Sequence, residues 1–210
     1  MSPSTDPARS GTGKPRAKGA GAGGEYLVLL PAVFLAGDVL GSIVRAVRHR
    51  ELDVTLDFTD DAAASALTEG TAVPLRGMAE LSIPFGDLAG VTIGMLIAAK
   101  IILVLGLIIC SWWAGRVLNR VAEGRAFADQ PIIDLGRIFW VGGSTLMLHG
   151  GLLLLGSNLA TRDLGLAEHV NNSVSTLDIF TALAILGAVE VVRRAFVSGK
   201  KAHDELEGVI

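Results

Sequence analysis

Cysteine, tyrosine and charge are all scarce in this chain of 210 residues. The single cysteine, Cys110, excludes an internal disulfide, and without a CxxC pair a thiolate zinc site is excluded too. Flanked by apolar residues, it reads as a small buried hydrophobe. Charged residues make up 19% of the chain, below the roughly 25% of an ordinary soluble domain. The net charge of −3 is too small to call for nucleic acid or an acidic partner. Catalytic patterns are missing as well: there is no HExxH, no GxxxxGK and no GxSxG. His49, His149, His169 and His203 are too scattered to converge on a metal, and nothing places a nucleophile beside a base. The chain reads as non-enzymatic, with no cofactor and no metal.

What is present is hydrophobic residue, 50% of the total, gathered into four runs at about 26–47, 88–113, 138–159 and 174–197. Each is long enough to cross about 30 Å of hydrocarbon at 1.5 Å per residue. The first is the weakest, with Pro31 and Asp38 inside it. A signal peptide would use Lys14, Arg16 and Lys18 as its basic region, but only Val39-Leu40-Gly41 approaches a cleavage site, which favours an uncleaved helix. The third run carries no formal charge, and the fourth opens on the capping sequence Asn171-Asn172-Ser173.

Residues 1–24 hold Pro3, Pro7, Pro15 and the run Gly19 to Gly24, and read as a flexible cytoplasmic tail. That run spells GxGxxG, but no strand precedes it, so it is a linker and not a dinucleotide site. Residues 48–87 are polar, with two short strand candidates at Asp53–Phe58 and Ala79–Phe85, and read as a small β-containing extracytoplasmic cap. Residues 199–210 form a charged tail. The fold class expected is an all-α membrane protein: a four-transmembrane-helix bundle occupying 25–198, with that cap between helices one and two.

Orientation follows from lysine and arginine. With the N-terminus inside, cytoplasmic segments hold Arg9, Lys14, Arg16, Lys18, Arg116, Arg120, Arg125, Arg137, Arg193, Arg194, Lys200 and Lys201. The other side holds Arg45, Arg48, Arg50, Arg76 and Arg162, so the bias is twelve to five. Tyr26, Trp112, Trp113, Trp140 and Phe196 fall at the cytoplasmic ends of their helices, where amphipathic rings prefer the headgroup layer. Both signals give a multi-pass cell-membrane protein with cytoplasmic N- and C-termini.

Ionisable groups in hydrocarbon need partners or water. Asp38, Lys100 and His149 each sit near the middle of their runs, and Thr145 stands at i−4 from His149. One reading is a polar relay, with Asp38 and Lys100 paired and His149 titrating beside them. The other is structural: the pair fixes helix register while His149 donates to a backbone carbonyl, or Lys100 snorkels to the headgroups. Glu190, with Arg193 and Arg194 at i+3 and i+4, is neutralised locally. Gly37 and Gly41, then Gly86, Gly90 and Gly94, recur at helix-packing spacing, within one chain or between copies in an oligomer.

At Gly124-Arg125-Ala126-Phe127, followed by Leu135-Gly136-Arg137-Ile138, the chain resembles the bacterial four-helix membrane family catalogued as domain of unknown function 2975. Arg193-Arg194 and the closing Glu205-Leu206-Glu207-Gly208 extend the likeness, whereas Ala126 and Gln130-Pro131 depart from it. The resemblance implies a four-pass protein without catalytic residues, accompanied by a small helix-turn-helix regulator. The leading expectation is action on a cytoplasmic protein partner, regulatory or scaffolding, through Arg116, Arg120, Arg125, Arg137 and the tail. The alternative is a small transporter or ion-coupled carrier built on Asp38, Lys100 and His149.

Overall fold

The computed structural model describes residues 24–58, 77–167, 169–172 and 176–208. Most of the expected N-terminal tail, the middle of the cap and the Ser173 cap of the last helix lie outside them. Four long helices and one two-stranded sheet make up the described chain: α1 (Gly24–His49), β1 (Glu51–Phe58), β2 (Gly77–Pro84), α2 (Gly90–Ala122), α3 (Asp129–Asp163) and α4 (Thr176–Glu207). A 3-10 turn at Phe85–Asp87 leads from β2 to α2. α1, α2 and α3 are long and apolar enough to cross a membrane. α4 mixes an apolar stretch with Asp178, Glu190, Arg193 and Arg194.

The helices outrun their apolar stretches. α2 has 33 residues and α3 has 35, so each is roughly 50 Å long at 1.5 Å per residue. The polar segment expected between them at 114–137 is helical except for 123–128. The physical reason is that its charges pair across the two helices, as described below, so polarity alone does not end them. A glycine ends each helix. In α2, Gly124 at φ 73° donates to Val121 O and Arg125 donates to Arg120 O. In α3, Gly165 at φ 69° donates to Arg162 O and Leu166 to Thr161 O. Both are the paired bonds of a left-handed C-terminal cap, which residues with a Cβ adopt reluctantly.

β1 and β2 pair antiparallel from Glu51 opposite Pro84 to Phe58 opposite Gly77. Leu52, Val54, Leu56 and Phe58 alternate inward and are almost wholly buried. They pack on Ala46, Leu88, Leu96, Ala160 and Leu166, so the main core lies against one face of the hairpin and joins three helices there. Each large side chain so buried contributes about 1.5–3 kcal/mol. Asp163, ending α3, accepts from Ala89 N–H at 2.9 Å and from the Thr92 hydroxyl at 2.6 Å, which caps the start of α2.

Away from the hairpin the helices pack in series, α1 along α2, α2 along α3 and α3 along α4. Their outer faces are apolar: Phe34 is 79% exposed and Met147 81%, beside exposed Trp140 and Phe180. Faces of this kind on helices of this length are surfaces for lipid. These three candidate spans point to a membrane location for the chain.

The glycines that bring helices together are not those with the suggestive spacing. A Cβ at Gly37, Gly41, Gly86, Gly90 or Gly94 would meet nothing within 4 Å. At Gly106 it would collide with the Thr145 side chain, and at Gly156 it would lie 2.7 Å from Leu96. These two contacts set how closely α2 and α3 approach.

Candidate functional site

Two groups of polar residues stand at opposite ends of the helices. On the hairpin face opposite the core, residues of α2, α3 and α4 help to line a cavity of about 560 Å³. Lys100 and His149 line it, with Gly150 and Ser157 on α3. Apolar walls come from Leu96, Leu146, Leu153, Leu154, Ile179 and Ala182. Four carboxylates complete the lining: Asp53, Asp57 and Glu80 from the hairpin and Asp178 from the first turn of α4. Strand alternation explains the hairpin contribution, since Leu52, Val54 and Leu56 turn into the core while Asp53 and Asp57 share the other face.

The three midspan residues do not converge. Asp38 lies on an exposed face of α1, away from the Ala32, Ala36 and Ala46 stripe that is buried. Among the described residues no ion pair joins it to Lys100. The Lys100 ammonium instead donates to Ser42 Oγ at 3.3 Å. His149 Nδ1 lies 3.0 Å from Ala99 O; a carbonyl only accepts, so this nitrogen carries a proton and donates. Lys100 and His149 therefore share the cavity while Asp38 is outside it. We expect Asp38→Asn to leave the melting temperature in detergent unchanged or slightly raised, because no partner is stranded. A fall of several degrees would mean that the carboxylate does meet a cation.

At the far end, three of the four arginines expected to dock a partner converge on one buried carboxylate. Arg120 donates to Asp134 Oδ2 at 3.0 Å and Arg137 to Oδ1 at 3.2 Å, while Arg116 Nε stands 3.7 Å from Oδ2. The Asp134 side chain is 0% exposed. Arg116 lies over the Trp112 ring and Arg137 over that of Trp113, at 5.3 and 5.9 Å from the centroids. Arg125 pairs with Glu123. Glu190 accepts from Arg193 and Arg194 at 2.7–2.9 Å.

Beyond them the α2–α3 turn meets the end of α4. Phe127 stacks obliquely on Phe196 at 6.4 Å and lies against Gly199, where a Cβ would strike its ring. Asp129 pairs with Lys200, and this contact holds the ammonium pKa above its ordinary value.

Asp134 and the cavity carboxylates were missed by sequence reasoning. The available signals were Asp134 flanked by Ile132, Ile133 and Leu135 with Arg137 at i+3, and the Asp53, Asp57 pair on one strand face. Among the described residues no three His, Cys, Asp or Glu side chains are grouped to hold a metal ion. Compared with protein families, with curated proteins and with solved structures, the chain matches none.

Proposed function

We propose that this is a non-enzymatic, four-pass protein of the cell membrane, with both ends in the cytoplasm, which receives an amphiphilic organic cation in the cavity beside its hairpin. The cavity carries the reading. Its volume of about 560 Å³ falls within the roughly 300–1,000 Å³ of small-molecule sites. Four carboxylates face one lysine there, so the field in the cleft favours a cation. The leucine walls suit an apolar body, and the Ser157 hydroxyl oxygen is an acceptor for a polar head. The carrier alternative thus keeps Lys100 and His149 and exchanges Asp38 for Asp178 and the hairpin acids.

Two observations support the fourth span and its direction. From Thr176 to Val197 α4 has 22 residues, enough for about 30 Å. Asp178 stands at one end, Arg193 and Arg194 near the other, and the Glu190 between is neutralised by those two arginines. With the N-terminus inside, the twelve-to-five distribution of basic residues over the sequence supports a cytoplasmic α2–α3 turn, with the hairpin and the cavity mouth outside.

Binding of a fluorescent lipophilic cation to the purified protein tests this reading. Leu153→Trp fills the cavity and should weaken binding about ten-fold or more, and Asp178→Asn should weaken it several-fold. An anionic dye of the same size should not bind. Equal binding of both dyes, unchanged by Leu153→Trp, would remove the cavity from consideration.

A second reading, action on a protein partner, draws on the junction of Phe127 and Asp129 with Phe196, Gly199 and Lys200. Turn and tail form one continuous surface there, and the regulator implied by the family resemblance is the partner to test on it.

A further inference from the structure

We propose that the arginine cluster around Asp134 binds the phosphate of an anionic phospholipid headgroup. This rests on the chain lying in a membrane and is independent of the cavity. Three guanidinium groups converge on a single buried carboxylate. One positive charge is neutralised and two are not. The neighbouring acids cannot make up the difference, because Glu123 holds Arg125, Asp129 holds Lys200, and Glu190 holds Arg193 and Arg194.

The donors are also unspent. Each guanidinium has five N–H groups, yet Arg120 and Arg137 each place one on Asp134, and Arg116 only approaches it. Arg116 and Arg137 are 36% and 50% exposed along their side chains, so their free edges reach the surface. Three guanidiniums held within one ion pair of each other would repel one another without a second anion. A phosphate diester supplies it, since its paired oxygens match the guanidinium fork.

The setting selects a lipid source. The chain's three tryptophans, Trp112, Trp113 and Trp140, all stand near this cluster in sequence, and Trp112 and Trp113 lie beneath two of its guanidiniums. Trp112 and Trp140 are 56% and 73% exposed. Exposed indole marks the depth of the headgroups, which is where a lipid phosphate sits. A guanidinium held over indole is fixed in place before the lipid arrives, so little side-chain freedom is lost on binding.

The tryptophans also report the test. Full-length protein in neutral detergent is titrated with phosphatidylglycerol or phosphatidylcholine carrying brominated acyl chains, and indole quenching is read. Phosphatidylglycerol should reach half-quenching at about a ten-fold lower mole fraction. Arg116→Gln with Arg137→Gln should bring the two curves together, while Arg162→Gln, at the hairpin end, should leave them apart. Coincident curves for the unmodified protein would overturn the proposal, and so would a folded double variant that keeps the preference. If the double variant does not fold, the comparison on the unmodified protein decides alone. Inorganic phosphate in large excess should not release the lipid; release would overturn the lipid as occupant and assign the cluster to a soluble phosphate.

Discussion

Asp134→Ala should lower the melting temperature in detergent by about 10 °C, the largest loss expected from any single carboxylate in the chain. Its side chain is 0% exposed and three arginines face it. Removing one partner of such a group leaves the others uncompensated, which costs about 3–5 kcal/mol. For a chain of this size each kcal/mol moves the midpoint by roughly 2–4 °C. Asp134→Asn keeps the volume and some hydrogen bonding, so it should recover only part of the loss, because the missing quantity is charge. The comparison with Asp38→Asn is informative. Both substitutions remove a carboxylate from an apolar helix, yet only Asp134 is surrounded. Losses of equal size would show that environment does not separate them.

The second large effect lies at Gly106. A Cβ there would occupy the position of the Thr145 side chain, a β-branched residue with little rotamer freedom on a helix. Gly106→Ala must push α2 from α3, and overpacking of this kind costs about 1–3 kcal/mol. Gly41→Ala is the control, since open space surrounds that position; exchanging glycine for alanine within a helix should stabilise it by about 0.5–1 kcal/mol. Thermal unfolding of the two variants should move in opposite directions. If Gly41→Ala is the more damaging, α1 packs through its glycine face against another copy.

How much of this was legible in the sequence depends on whether the information is local. The second and third spans were legible because a long apolar run has one physical solution in a bilayer, but the ranking of the other two was not. The first run, expected to be the weakest, is among the three helices long and apolar enough to cross, and the fourth, which carries Asp178, Glu190, Arg193 and Arg194, is not. The β hairpin was legible too: Asp53 to Phe58 alternates with period two, and the observed strand extends it only to Glu51. Helix ends were not. Residues 114–122 and 129–137 look like a polar loop, but Arg116 and Arg120 find Asp134 on the neighbouring helix, a pairing between residues that no local pattern links.

The candidate site was legible in the same partial way. Depth along a helix can be counted, so Lys100 and His149 were placed at one level and do line one cavity. Rotation about the helix axis was not available for α1. Asp38, at the same depth, turns away because the small residues Ala32, Ala36 and Ala46 form the face that packs. The hairpin acids could not be assigned to the cavity from sequence, since that requires knowing that the hairpin folds back over α2 and α3.

The most direct measurement is cysteine labelling from outside intact cells. Cys110→Ala removes the only native thiol, and Gly150→Cys places a new one in the cavity beside His149, where a Cβ meets nothing within 4 Å. If the cavity is watered, opens outside and favours cations, a membrane-impermeant cationic thiosulfonate should modify this cysteine readily. An anionic reagent, normalised to its rate with a small free thiol, should react about ten-fold more slowly. No reaction until the cells are opened, or equal normalised rates for the two reagents, would contradict the account.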